Sequence, residues 1–282
     1  MIRGFPIINA VLFIITMITT TAVGGLYANQ AFESWSSFFM NGLVFSIPLM
    51  TILSVHEMGH YMAGRRRGMN VTLPYFIPSI PPLGTFGAFI KVRSFIPNRK
   101  ALMELGAWGP LSGAMMAIPL LFVGLFMSDS YPKNEISDPI GLSFGTSLIL
   151  EIGCLIRFGD FSFNNMVLLH PTAMAAWFGL FVTAMNLLPI GQLDGGHVIY
   201  ALFGNKASRV ISISVFVALL PLGMLVWTGW LVFGALTLLL GLRHPPPLDE
   251  YTPLDKSARL TGYISIILFI LTFVPAPISV AG

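Results

Sequence analysis

Leu53-Ser54-Val55-His56-Glu57-Met58-Gly59-His60-Tyr61 closes an apolar run over residues 41–63. A helical run of that length crosses a bilayer, at about 1.5 Å of rise per residue over about 30 Å of hydrocarbon. On a helix, His56 and His60 stand at i and i+4 on one face, so both imidazoles can reach one metal ion. Glu57 sits beside the first of them. In a soluble helix the same residues are two surface histidines and a solvated glutamate. Within an apolar span a carboxylate and two polar rings are expensive unless they share a purpose, and a metal site gives them one.

Composition outside this stretch agrees with a membrane setting. Of 282 residues, 55% are hydrophobic and 10% charged, and mean hydropathy is +0.80. Soluble domains carry about 25% charged residues, so lipid must solvate much of this chain. The net charge of +3 reflects basic residues beside apolar runs, such as Arg65-Arg66-Arg67. Their partners are lipid headgroups; without interleaved aromatic residues, nucleic-acid binding is excluded. Cys154 is the one cysteine, which excludes an intrachain disulfide.

A window of about 19 residues finds spans at residues 6–28, 41–63, 101–127, 170–193 and 260–277. Arg3 followed by residues 7–28 resembles a signal peptide, but the apolar run is about twice the usual length, so a retained first helix is expected. The stretch 207–242 is too long for one span and carries Pro221 and Gly223, so a hairpin of two short helices turning near 222–229 is expected. Arg3, Arg65–Arg67, Arg99, Lys100, Lys206, Arg209, Arg243 and Arg259 then share the N-terminal side. Glu33 and the acidic loop 129–138 face the other. The fold class is an α-helical polytopic membrane protein with six to seven transmembrane helices.

Two apolar segments do not read as spans. Residues 71–94 carry Pro74, Pro78, Pro81, Pro82, Gly84 and Gly87, too many breakers for a helix, then a strand-forming stretch to Val92. A small membrane-embedded β element is expected there. Residues 142–158, with Glu151 and Arg157 and ending at Gly159-Asp160, are expected to form an amphipathic or re-entrant helix. Without repeats or soluble linkers, residues 1–282 read as a single transmembrane domain.

Imidazole ligands suit zinc, which lowers the pKa of bound water, and a glutamate between the histidines can take the proton released. A catalytic zinc usually has three protein ligands. Asp194, in Asn186-Leu187-Leu188-Pro189-Ile190-Gly191-Gln192-Leu193-Asp194-Gly195-Gly196-His197, is the only acid between Asp160 and Asp249. It falls at the depth of His56 and His60, as a third ligand or as the cap of a helix through 197–203.

HEMGH on one span and NLLPIGQLDGGH on a later one, with GTFGAFIKV and RKALMELGAWGPLSG between them, resemble the site-2 protease family of intramembrane zinc metalloproteases, peptidase family M50. The resemblance runs from the second span through His197 and is closest to short members, including chloroplast-type ones, without PDZ or CBS domains. It implies one Zn2+ held by His56, His60 and Asp194, with Glu57 as general base. Asn186 matches a family asparagine, expected to bond the substrate backbone. Cutting a transmembrane helix requires unwinding it, so the strand edge with Gly84, Thr85, Phe86 and Gly87 is expected to pair with the unwound segment. His197 is expected beside the metal ligands rather than on the metal, His170 and His244 at the interface, and Glu104 in an ion pair with Lys100.

The implied reaction is peptide hydrolysis within membrane-protein substrates, in a lipid bilayer. The rivals are a zinc hydrolase with a glutamate ligand, for which no partner helix is present, and a metal transporter or non-proteolytic relative, which has no use for a base between two ligands. The expected location, the default in the absence of a targeting extension, is a prokaryotic plasma (inner) membrane, with N-terminus and site towards the cytoplasm. Substrate identity and oligomeric state are not encoded in any motif.

Overall fold

Hydropathy dictates long helices, and these carry the architecture. The computed structural model of the chain describes residues 6–28, 34–81, 83–132, 141–159 and 165–281. In chain order the elements are α1 (Ile7–Ala28), α2 (Trp35–Arg66), β1 (Tyr75–Pro78), β2 (Thr85–Phe89), α3 (Arg99–Phe126), β3 (Asp129–Pro132), β4 (Gly141–Phe144), α4 (Leu148–Phe158), β5 (Asn165–Leu168), α5 (Pro171–Leu187), α6 (Asp194–Leu225), α7 (Gly229–Leu240), α8 (Lys256–Thr272) and β6 (Ile278–Ala281). Arg3, Glu33, Pro82, Asp138 and Asp160, used above, lie outside the described residues.

Polar side chains set the helix starts. Ser34 caps α2 by accepting from the Ser37 amide, and Asn98 caps α3 through the Ala101 amide at 2.9 Å. Asp255 caps α8 through the Ala258 amide at 2.8 Å. α2, α3 and α5 enclose the main core, where Phe45, Leu49, Leu121, Leu125, Trp177 and Phe178 are buried. Small residues let these helices close up, since lipid gives no hydrophobic drive between them. A Cβ on Gly59 of α2 would stand 2.3 Å from the Trp108 carbonyl of α3. Outward faces remain apolar: Ile8, Ile18, Val217 and Leu225 are exposed, as lipid contact requires.

Among the described residues four helices, α1, α2, α3 and α6, are long and apolar enough to cross a membrane; α5 and α7 are shorter apolar helices. Against expectation, α5 stops at Leu187, and the chain turns through 188–193 before α6 begins. The last helix also ends early, at Thr272, because the chain then forms β6. β6 pairs antiparallel with β4, so the start of the expected helix over 142–158 is strand, and α4 begins only after its Ser147 cap. The hairpin of 207–242 is present: α6 ends at Leu225 and α7 starts at Gly229, with Gly223 packed on Leu231. The β element is present too, as β1 and β2 paired antiparallel, Phe76 opposite Ala88.

α6 is broken at Gly204, whose φ of 80° and ψ of 178° leave the helical region. The break strands carbonyls at the end of the preceding turn. Arg99, at the start of α3, takes them over: Nε and Nη2 donate to the Ala201 carbonyl at 3.0 and 2.7 Å, and Nη2 donates to that of Leu202 at 3.1 Å. Removing these bonds leaves partly buried carbonyls unpaired, so Arg99→Ala is expected to lower stability by about 1–3 kcal/mol. Thermal unfolding in detergent checks this, and Arg99→Lys should recover only part of the loss because it cannot span both carbonyls.

Candidate metal centre

The buried face of α2 presents His56, Glu57 and His60, exposed by only 3, 5 and 6%. One potential ligand atom from each lies within 4.8 Å of the others. α6 supplies the fourth group. The turn at 188–193 uses Gly191 at φ 52°, and Gly195 and Gly196 seat the new helix on it: a Cβ on either would stand 1.9 or 2.2 Å from a carbonyl of Leu187 or Gly191. Asp194 Oδ2 thereby comes 3.2 Å from His60 Nε2 and 3.5 Å from His56 Nε2. It does not cap α6. The cap position is Leu193, without a side-chain bond, so the capping reading of Asp194 is wrong.

The donor set fits a metal. His60 Nδ1 lies 2.6 Å from the Leu105 carbonyl, which can only accept, so Nδ1 carries the proton and Nε2 offers its lone pair. His56 Nε2 is buried without a hydrogen-bond partner, a state that costs about 1–3 kcal/mol unless a cation satisfies it. α3 is hollowed to receive the rings. A Cβ on Gly109 would stand 2.0 Å from His60 Nε2, and one on Gly113 3.0 Å from His56 Nδ1. Gly106 admits α6, where a Cβ would stand 2.8 Å from the Asp194 carbonyl. Glycines at 106, 109 and 113 form one stripe at helical spacing, a signal present in the sequence but not read from it.

A cavity of about 220 Å3 opens beside the cluster, lined by Glu57, His60, Asn186, Gln192, Asp194 and His197. Asn186 lies in the wall of this cavity. The β element reaches it through Ala88, Phe89, Ile90 and Val92, and the Ile90 amide faces the Glu57 carboxylate. The four residues singled out in sequence lie elsewhere. Gly84 packs on α1, where Thr19 Oγ1 donates to its carbonyl at 2.7 Å. Thr85 is buried with its hydroxyl bonded to the Ile77 carbonyl, Phe86 is 75% exposed, and Gly87 lies within β2 at a positive φ of 92°.

Three polar assignments change. Glu104 pairs with Arg67, and Lys100 with Asp255. That pair and one further bond, from the Ala258 amide, hold the Asp255 carboxyl below its usual range. His244 is not interfacial but buried; its Nε2 lies 2.5 Å from His197 Nδ1, and its Nδ1 2.6 Å from the Pro245 carbonyl.

Membrane-length helices around a buried His-Glu-His set with a convergent aspartate define a membrane protein with a candidate metal centre. The chain belongs to peptidase family M50, whose model matches residues 44–228. It is 33% identical over 232 residues to the probable zinc metalloprotease EGY1, chloroplastic, of Arabidopsis thaliana, covering 80% of this chain and 42% of that protein. The EGY1 protein of Oryza sativa subsp. japonica is 31% identical over 84% of the chain and 41% of its own length, and the chloroplastic EGY2 protein of Oryza sativa subsp. indica 30% over 84% and 43%. The chain spans less than half the length of these relatives. These relatives are named zinc metalloproteases, and being chloroplastic they lend no support to a prokaryotic plasma membrane. No solved structure matches the chain.

Proposed function

We propose that this chain is an intramembrane zinc metalloprotease that hydrolyses peptide bonds within or near transmembrane segments of other membrane proteins. The observation that carries the reading is Asp194, brought from α6 to 3.2 and 3.5 Å from two imidazoles of α2. His56, His60 and Asp194 hold one Zn2+. When bound, zinc makes water a stronger nucleophile near neutral pH and polarises the scissile carbonyl. Glu57 takes the proton of the attacking water on its carboxylate and returns it to the departing amine. The Asn186 amide bonds the substrate backbone from the cavity wall. The end of the β element at Ala88, Phe89 and Ile90, rather than Gly84, Thr85, Phe86 and Gly87, pairs with the unwound substrate strand and delivers it beside Glu57. Burial of the centre supports this route, since a substrate must enter from the lipid side or along the β element.

Residues 1–282 act as one transmembrane unit. Six to seven crossings follow when α5, the α6–α7 hairpin and α8 are added to the four long helices. The N-terminus and the centre then lie on the basic side, with Arg65, Arg99, Lys206 and Arg243.

The test uses the full chain in lipid nanodiscs with a reporter carrying one transmembrane segment. Cleavage stopped by a zinc chelator and restored by zinc is expected; zinc transport without cleavage would overturn the reading. Asp194→Ala is expected to lower zinc affinity by about 10- to 100-fold or more, measured by competition with a chromophoric chelator. Parent-like affinity would remove Asp194 from the ligand set.

A further inference from the structure

A second cavity, of about 190 Å3, lies where α6 breaks, lined by Tyr200, Asn205, Ser208, Arg209, Arg243 and His244. α6 and α7 run antiparallel about their turn, which returns Arg243 to the level of Arg209. Among the described residues no carboxylate lines this cavity, and neither arginine has an ion pair. Tyr200, Ser208 and His244 form a buried floor. The Tyr200 hydroxyl is buried and engaged by the Glu250 carboxylate, which lies outside the lining. His244 is already committed, because the Pro245 carbonyl takes its Nδ1 proton and its Nε2 receives that of His197. The cavity therefore offers two guanidinium forks, the Asn205 amide and the Ser208 hydroxyl, all able to donate, around a space smaller than the roughly 300–1,000 Å3 of sites for drug-sized ligands.

We propose that this cavity is a binding site for a phosphate group, presented by an anionic lipid headgroup or by free phosphate. A guanidinium fork matches two oxygens of a phosphate at once, and two forks with amide and hydroxyl donors suit a tetrahedral oxyanion with three or more free oxygens better than a carboxylate with two. Lys206, Arg209 and Arg243 mark this end of the hairpin as the basic membrane face, where lipid phosphates are concentrated. Arg243 and His244 lie beyond residues 44–228, the stretch matched by the family model. The His197–His244 pair is the wall between this cavity and the one beside the metal centre.

The experiment measures binding alone, so its outcome is independent of whether the chain is a protease. The full chain in phosphatidylcholine nanodiscs is titrated with inorganic phosphate at constant ionic strength and followed by calorimetry, with acetate as control anion. In parallel, phosphatidic acid, whose monoester phosphate keeps three free oxygens, is counted by native mass spectrometry where detergent-solubilised protein retains it. Saturable binding at one site is expected, weakened about tenfold or more in Arg209→Gln/Arg243→Gln and within about twofold of the parent in Lys206→Gln, which removes a neighbouring charge outside the lining. Both arginines are exposed, so their replacement leaves the fold in place. Retention of anionic lipid identifies the headgroup as source; saturable phosphate without lipid retention identifies the free ion. Absence of both, a double variant that binds like the parent, equal weakening by Lys206→Gln, or equal binding of acetate would each overturn the site.

Discussion

Glu57→Gln is expected to lower hydrolysis of a transmembrane substrate by about 10^2- to 10^4-fold, the range for loss of a positioned general base, while the protein keeps its zinc. The carboxylate is 5% exposed, belongs to the cluster whose ligand atoms lie within 4.8 Å, and is faced by the Ile90 amide at the end of the β element. Glutamine preserves size and can still accept from that amide, but it cannot take a proton from water. The metal is retained because two imidazoles and the Asp194 carboxylate remain. The measurement pairs turnover in nanodiscs with zinc content of the same preparation. Undiminished turnover would sink the mechanism. Loss of zinc together with turnover would move Glu57 from base to ligand.

What the sequence made legible follows from how local each signal is. α1, α2 and α3 were readable because apolar length is a property of one segment, and the β element because its prolines exclude a helix whatever surrounds it. The pairing of His56, Glu57 and His60 was readable because i and i+4 on a helix fix their geometry. Asp194 was readable by elimination, being an isolated acid at the end of an apolar run. The end of α5 was not, because 188–193 is as apolar as the helix before it, and only Gly191 and the docking of Gly195 and Gly196 set the turn. Nor was the register of the β element against the centre. It depends on contacts with α1, where Asn9 Nδ2 donates to the carbonyls of Leu73 and Pro74 and Thr19 holds Gly84. Those contacts leave Ala88 to Ile90, rather than Gly84 to Gly87, at the cavity. Arg67 with Glu104, and His197 with His244, join residues 37 and 47 positions apart; such pairs depend on how each helix is rotated, which hydropathy does not record.

Gly109→Ala is expected to weaken zinc binding by about 10- to 100-fold or more, the usual cost of disturbing a group that orients a ligand, and to lower hydrolysis in parallel, although Gly109 carries no side chain that could touch the metal. A methyl group there would stand 2.0 Å from His60 Nε2, 2.3 Å from Cε1 and 2.4 Å from Cδ2, inside the van der Waals contact of all three atoms. α3 cannot retreat, since it also packs at backbone distance on Gly59 of α2. The ring must therefore move, and moving it breaks the 2.6 Å bond of Nδ1 to the Leu105 carbonyl and swings Nε2 away from Asp194 and His56. Folding should be largely spared because the displaced atoms are the tip of one side chain. Unfolding temperature close to that of zinc-free parent protein, together with lost zinc affinity, is the expected signature. Gly113→Ala gives the graded comparison: its methyl would meet His56 Nδ1 at 3.0 Å and Cβ at 3.1 Å, a contact relieved by a few tenths of an ångström, so its loss of affinity should be smaller. Equal effects of the two substitutions, or parent-like zinc affinity in Gly109→Ala, would show that α3 does not fix the imidazoles and that α2 and Asp194 alone shape the site.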